Sequence, residues 1–130
     1  MMKKFVLLII LILLLPLSLS AGVNEYKLDN GLKVLVIEDH KAPLATFQIW
    51  YRVGSKDEPA GKSGISHLLE HMMFKGTPKY SSKAFSKMVK RKGGVDNAFT
   101  TKDYTMYYQT LASDRIDISI ELEADRMQNL

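Results

Sequence analysis

The segment from about Gly64 to Lys75 constrains the fold of this chain more than any other stretch of its sequence. Ser63 precedes the segment as a candidate N-cap, and Gly76 and Pro78 follow it as residues that end helices. At about 100° per residue, its apolar side chains share one broad side of a helix. We therefore predict a helix whose apolar side packs on a core and whose opposite side faces a cleft. The apolar residues are Ile65, Leu68, Leu69, Met72 and Met73.

Three chemically reactive side chains occupy the opposite side of this predicted helix. His67, Glu70 and His71 stand at positions i, i+3 and i+4, which share one face. Two imidazole nitrogens at this spacing can ligate one Zn²⁺ ion, and a carboxylate beside them can take a proton from a metal-bound water. The spacing is that of the H-x-x-E-H signature of metallopeptidases. The sequence therefore predicts His67 and His71 as metal ligands and Glu70 as the catalytic base. The alternative is a pair of polar histidines on an exposed helix face.

The N-terminus has the three parts of a secretory signal peptide. Lys3 and Lys4 give it a basic start, an apolar run extends from Phe5 to Leu15, and small residues follow. The 11 residues of the apolar run are too few to span a bilayer comfortably. We predict a signal peptide over residues 1–21 and a periplasmic or secreted chain over 22–130 that meets a membrane only during export. The alternative is a leader that is retained as a membrane anchor.

The composition argues against disulfide bonds and against a nucleic-acid partner. The chain has no cysteine, which excludes disulfides and a lipoprotein anchor. Without Lys3 and Lys4, the 18 basic residues fall to 16 against 14 acidic ones, a net charge of about +2. The basic residues between Lys87 and Lys92 are typical of a solvated helix face rather than a basic stripe. We therefore expect no nucleic-acid partner.

Three strands are predicted ahead of the histidine-bearing helix. Tyr26–Leu28 and Leu32–Ile37 flank an Asn30-Gly31 turn, a pattern that is typical of a β-hairpin. Leu44–Val53 is rich in β-branched and aromatic residues and fits a strand.

A second helix and an extended segment are predicted after it. Ser81 or Ser82 is expected to cap an amphipathic helix, which Gly93 ends. The residues from Asp96 to Leu111 contain strand-forming side chains on both sides of a polar centre, and they predict an extended strand or a hairpin.

The last predicted element is a helix that begins at Ser113 or Asp114 and is still running at Leu130. Strands followed by helices, with long strands next to one another, favour an α+β fold rather than a parallel doubly wound sheet. We predict an antiparallel or mixed sheet with helices packed on it.

Four blocks of the sequence resemble, in order, the pitrilysin and mitochondrial-processing-peptidase family of zinc metallopeptidases, the inverzincins. They span nearly all of the chain after the leader. The resemblance implies that residues 22–130 are a partial N-terminal peptidase domain, part of a metallopeptidase half-domain. It also implies His67 and His71 as zinc ligands and Glu70 as general base. The blocks are Leu28–Val34, Gly64–Thr77, Gly93–Thr100 and Glu121–Met127.

The same resemblance implies a substrate-binding strand beside the metal. An extended peptide or unfolded polypeptide would lie against it, because a strand edge offers backbone donors and acceptors to any peptide. Core packing is an equally open interpretation of Phe99, Tyr104 and Tyr108. The implied substrate-binding residues are Asn97, Ala98, Phe99 and Thr100.

The family's third zinc ligand is expected outside this sequence. It is a glutamate roughly 75 to 80 residues after the second histidine, which is about position 148 here. Glu121 and Glu123, in the last predicted helix, are expected to be helix-surface or outer-sphere residues instead. The resemblance also implies a C-terminal half or a homologous subunit as partner, so we expect the isolated 130-residue chain to be inactive.

These observations lead to one principal hypothesis and two alternatives. The principal hypothesis is a zinc metalloendopeptidase that hydrolyses peptide bonds with a zinc-bound water and with Glu70 as general base. The first alternative is a non-catalytic scaffold or peptide-binding subunit of the same family. The second is a membrane-tethered structural domain in which the histidine pair is incidental.

Overall fold

The computed structural model describes residues 22–130, which divide between Lys41 and Ala42 into two units. The predicted signal peptide over residues 1–21 lies outside the described residues. None of the helices within residues 22–130 is both long enough and apolar enough to cross a membrane.

The first unit contains the predicted hairpin. β1 (Val23–Lys27) pairs antiparallel with β2 (Lys33–Ile37). In the connecting loop Gly31 has a φ of +86°, which glycine adopts without steric cost, and the Asn30 Oδ1 accepts a hydrogen bond from the Leu32 amide at 3.0 Å. The Asn-Gly turn signal therefore predicted this hairpin correctly.

A three-stranded antiparallel sheet forms the centre of the second unit. Its strands are β3 (Leu44–Tyr51), β4 (Val95–Thr100) and β5 (Thr105–Ala112), in the spatial order β3-β5-β4. The predicted segment from Asp96 to Leu111 is thus a hairpin of β4 and β5. Within residues 42–130, β4 is an edge strand whose outer backbone groups are not paired with another strand.

The two faces of this sheet differ in what covers them. Residues directly opposite each other on antiparallel strands point to the same face. Tyr107 lies opposite Ile49 and Ala98, and it is only 2% exposed on the face that the helices cover. Trp50 and Phe99 point to the other face and are 52% and 38% exposed.

Three α-helices and two short 3₁₀ turns complete the second unit. Phe85, Val89 and Leu122 form a buried cluster between the second and third helices, with relative exposures of 7%, 0% and 1%. Burial of each such side chain contributes about 1.5 to 3 kcal/mol. The helices are α1 (Ile65–Met72), α2 (Ala84–Arg91) and α3 (Ile116–Asn129), and the 3₁₀ turns are Ser55–Asp57 and Ser113–Arg115. The α+β class predicted from the sequence is confirmed.

The predicted start of α2 is wrong. Neither Ser81 nor Ser82 caps it with a side chain, because the N-cap position is held by Lys83 in a left-handed conformation with a φ of +63°. The Ala84 amide instead donates to the Ser81 carbonyl at 2.9 Å, so a backbone turn replaces the side-chain cap. The end of the helix before Gly93, whose φ is +78°, agrees with the prediction.

The prediction that the apolar side of α1 packs on a core is also wrong. Most of its apolar side is exposed, whereas Ser66 and Glu70, on the polar side, are each only 8% exposed. The physical reason is that the polar side has hydrogen-bond partners in the unit: the Ser66 Oγ donates to the Gly54 carbonyl at 3.2 Å, and Glu70 accepts from β4. The exposed apolar residues are Ile65, Leu68, Leu69 and Met72, at 46%, 59%, 53% and 46%, while Met73 is buried.

Candidate metal and catalytic site

The first turn of α1 is fixed by a carboxylate from the preceding loop. Glu58 accepts hydrogen bonds from the Gly64 amide at 2.8 Å and from the Ser66 amide at 2.9 Å. These two amides, Ser66 first, hold the pKa of Glu58 below its ordinary value because they stabilise the ionised form. The prediction of Ser63 as N-cap is therefore wrong: Gly64 holds the cap position with a φ of +90°, and the capping oxygens come from Glu58.

The two histidines of α1 are close enough to share one metal ion. The Nε2 atoms of His67 and His71 lie 3.2 Å apart, and both rings are exposed on the same side of the helix. Two nitrogens that ligate one tetrahedral zinc at about 2.0 to 2.1 Å must themselves be about 3.3 Å apart. The pair therefore fits a zinc ion.

The third member of the triplet, Glu70, is held by strand β4. Its Oε2 accepts a hydrogen bond from the Thr100 Oγ1 at 2.5 Å. Glu70 is 8% exposed, so this carboxylate sits largely out of solvent next to the exposed histidines. Sequence reasoning assigned Thr100 to substrate binding and missed this contact, which joins residues 30 positions apart.

Thr105 lies next to Thr100 and is itself hydrogen-bonded. The Thr105 Oγ1 lies 3.4 Å from the Thr100 Oγ1 and donates to the Val53 carbonyl at 3.0 Å. Thr100 and Thr105 are paired at the end of the β4–β5 hairpin. The hairpin end thus carries a short row of hydroxyl groups that leads to Glu70.

The hairpin turn is also bonded to the 3₁₀ segment before α1. The amides of Ser55 and Lys56 donate to the carbonyls of Thr101 and Lys102 at 3.1 and 3.0 Å. Gly54 allows this approach, because a Cβ there would lie 2.5 Å from the Thr101 carbonyl oxygen. The backbone contact keeps β4 and α1 together.

The four residues predicted to bind substrate lie on β4 but face two directions. Ala98 and Thr100 are on the helix-covered face, and Asn97 and Phe99 are on the other. The Ala98 amide donates to the Asn97 Oδ1 at 2.9 Å, so a side chain of the strand itself satisfies this backbone donor. Their role in substrate binding stays a prediction.

Two of the three aromatic residues left open by the sequence, Phe99 and Tyr104, contact each other. The Tyr104 ring is tilted against Trp50 with centroids 4.8 Å apart and lies 5.9 Å from the Phe99 ring. Tyr104 and Tyr108 are half-buried, and Phe99 is exposed. None of the three is a fully buried core residue.

A cleft lies beside the triplet. Its volume is about 440 Å³, and His67 and Thr100 both line it. The sequence predicted that the side of α1 that carries the histidines faces a cleft, and His67 does so. The other lining residues are Ser55, Glu58, Ser63, Gly64, Thr101 and Lys102.

The two glutamates of α3 are bonded to other side chains in the described part of the chain. Glu121 is exposed and accepts hydrogen bonds from the Lys79 ammonium and the Tyr80 hydroxyl, both at 2.8 Å. Glu123 is not on the helix surface, because it is 1% exposed and pairs with Arg126 and Gln109. No group of three or more His, Asp, Glu or Cys side chains within residues 22–130 could hold a metal ion.

Comparisons with known proteins find a peptidase family model and relatives named zinc proteases. A family model described as Insulinase (Peptidase family M16) matches residues 33–130. A Helicobacter pylori protein named zinc protease PqqE is 39% identical over 127 residues, which cover 92% of this chain and 29% of that protein.

Solved structures of proteases share the fold. The crystal structure of a protease from Helicobacter pylori superposes with a TM-score of 0.81 at 40% identity, over 85% of this chain and 27% of that one. Pitrilysin superposes with a TM-score of 0.77 at 28% identity, over 86% and 12%. The family resemblance noted in the sequence is confirmed. This chain spans less than a third of the length of the curated relatives it matches.

Proposed function

Because the chain belongs to the insulinase family of peptidases, M16, we propose that it carries part of the active site of a zinc metallopeptidase. The observation that carries the proposal is the pair of Nε2 atoms of His67 and His71, 3.2 Å apart beside the Glu70 carboxylate. Relatives named zinc proteases support the choice of metal. When bound, Zn²⁺ supplies a Lewis acid that polarises a peptide carbonyl and acidifies water.

The two histidines would hold the metal through their Nε2 atoms. Both must be neutral to offer a lone pair. They sit one turn apart on α1, whose start is fixed by Glu58. A short helix fixed at its first turn therefore sets the separation of the two ligands.

Glu70 would act as the general base. It accepts the proton of the attacking water and passes it to the amine that leaves when the peptide bond breaks. The bond from Thr100 holds one carboxylate oxygen in place, so less reorientation is needed before proton transfer.

The substrate would be an extended peptide or unfolded polypeptide that adds to the outer edge of β4. An edge strand binds such a chain through backbone hydrogen bonds, independently of sequence. The Ala98 amide is held by the Asn97 side chain, and the incoming peptide would take the place of that contact. Asn97, Ala98 and Phe99 are the proposed contact residues.

The remaining parts of the enzyme are proposed to come from outside this chain. These are a third zinc ligand and a C-terminal half or homologous subunit that completes the substrate chamber. The 130-residue chain alone is expected to be inactive. The signal peptide predicted over residues 1–21 is the basis for proposing an exported location, periplasmic or secreted.

Metal removal and replacement in the full-length protein test the proposal. Dialysis against a chelator should abolish cleavage of an unstructured peptide, and stoichiometric zinc should restore it. His67→Asn and His71→Asn should each lose bound zinc, while His40→Asn, outside the triplet, should retain it. Cleavage that survives in zinc-free protein would refute the proposal, and peptide binding without cleavage would favour the scaffold alternative.

A further inference from the structure

We propose that Thr100 is a positioning residue for the general base, and that the Oε1 atom of Glu70 is the one that accepts the proton. The inference rests on the proposed function and deepens it. It also replaces the substrate-binding role that the sequence implied for the Thr100 side chain.

The hydroxyl of Thr100 donates its single proton to Glu70. The distance from the Thr100 Oγ1 to the Glu70 Oε2 is 2.5 Å, and a carboxylate oxygen is a strong acceptor. In the longer contact with Thr105, at 3.4 Å, Thr105 is the donor. Thr105 therefore does not compete with Glu70 for the proton of Thr100.

Thr105 limits the freedom of Thr100. Its hydroxyl also donates to the Val53 carbonyl, which can only accept, at the shorter distance of 3.0 Å. The Thr105 side chain is 7% exposed, so it cannot swing into solvent. The Thr105 side chain is therefore held in place next to the Thr100 hydroxyl. Its position favours the Thr100 rotamer that points at Glu70.

The two carboxylate oxygens of Glu70 are consequently unequal. Oε2 is engaged by Thr100, whereas among the described residues no donor is bonded to Oε1. Oε1 is not among the fully buried side-chain atoms without a partner, so it keeps some contact with solvent although Glu70 as a whole is only 8% exposed. An attacking water can reach Oε1 while Thr100 holds the carboxylate plane still.

The proposal predicts a specific kinetic pattern in the full-length zinc protein. Thr100→Val removes the donor at nearly constant volume, and it should lower kcat by about tenfold to a hundredfold with KM and zinc content unchanged. Thr100→Ser keeps the donor and should retain kcat within about threefold. Thr110→Val is the matched control, because the Thr110 hydroxyl bonds to Thr46 on the other face of the sheet.

Three kinetic results would overturn the proposal. The first is a Thr100→Val enzyme with kcat within about threefold of the wild type. The second is a raised KM with kcat retained, which would make Thr100 a substrate contact. The third is an equal loss in the Ser and Val variants, which would make the role one of packing.

A second measurement needs no activity and no metal. Urea unfolding of the metal-free protein is compared for Thr100→Val, Glu70→Met, which removes both acceptor oxygens, and the double variant. If Thr100 bonds to Glu70, the double variant should lose no more in its midpoint than the larger single loss. Additive losses would overturn the Thr100–Glu70 link. If the wild type shows no Glu70-dependent cleavage, the proposed function fails and this cycle alone decides the link.

Discussion

Glu123 and Arg126, one turn apart on α3, form an ion pair in the interior of the second unit. The Arg126 Nη2 donates to the Glu123 Oε1 at 2.5 Å, and the two side chains are 2% and 1% exposed. The guanidinium also lies 4.2 Å from the centre of the Tyr107 ring. The ion pair therefore links α3 to β5, the strand that carries Tyr107.

Breaking this pair should destabilise the protein strongly. Arg126→Met leaves the Glu123 carboxylate buried without its cation, and a loss of about 3 to 5 kcal/mol is expected in urea unfolding. The double variant Arg126→Met/Glu123→Leu should lose less, because it removes both charges. Asp114→Asn, at the exposed pair with Arg115, is the control and should change almost nothing. A double variant less stable than Arg126→Met would contradict this account.

Glu58 should make the start of α1 sensitive to acid. Because its pKa is lowered in the folded protein, its stabilising effect is fully present above the unfolded pKa of about 4.3 and is lost as pH falls through the folded pKa. Glu58→Gln should therefore be less stable than wild type at neutral pH, and the gap should narrow in acid. Urea midpoints at pH 7 and at pH 3 check this. An equal gap at both values would exclude the carboxylate as the cause.

Gly54 should not tolerate a side chain. Its Cβ would meet the carbonyl oxygens of Thr101 and Lys102, which are backbone atoms and cannot rotate away. Gly54→Ala should cost about 1 to 3 kcal/mol in thermal or urea unfolding. Gly22→Ala, where no atom lies within 4 Å, is the matched control and should be neutral. Equal stability of the two variants would show that the hairpin turn can move away from residue 54.

Alanine substitution of a buried and of an exposed leucine should change the free energy of unfolding by different amounts. Leu122→Ala, at 1% exposure, should cost about 2 to 5 kcal/mol. Leu68→Ala, at 59% exposure on α1, should change stability of the 130-residue chain by less than about 0.5 kcal/mol. A large loss at Leu68 would restore the orientation of α1 that its apolar pattern predicted.

Short-range patterns carried most of what the sequence could predict. The hairpin around Asn30 and Gly31, the β4–β5 hairpin and the end of α2 before Gly93 all depend on residues that are neighbours in the chain. The spacing of His67 and His71 is also local, since a single helical turn sets it. The α+β class followed from the order of these elements.

Apart from the start of α2, where a local backbone turn replaces the side-chain cap, the wrong predictions involve partners outside the helix concerned. Glu58 caps α1 from six and eight residues away, and so it displaces the nearby Ser63. The bond from Thr100 draws Glu70 toward the sheet and leaves most of the apolar side of α1 exposed, against its apolar pattern. The burial of Glu123 depends on Arg126 and on Gln109, 14 residues before it. A single sequence contains no local signal for the first two; the i, i+3 spacing of Glu123 and Arg126 was the one available hint for the third.

The central claim is that Glu70 is the base of a zinc peptidase, and Glu70→Gln in the full-length protein tests it most directly. The amide keeps the size of the side chain but cannot take the proton of water. Zinc content measured by mass spectrometry should remain at the wild-type level, while kcat for peptide cleavage should fall by about a hundredfold or more. Cleavage at the wild-type rate with zinc still bound would contradict the account.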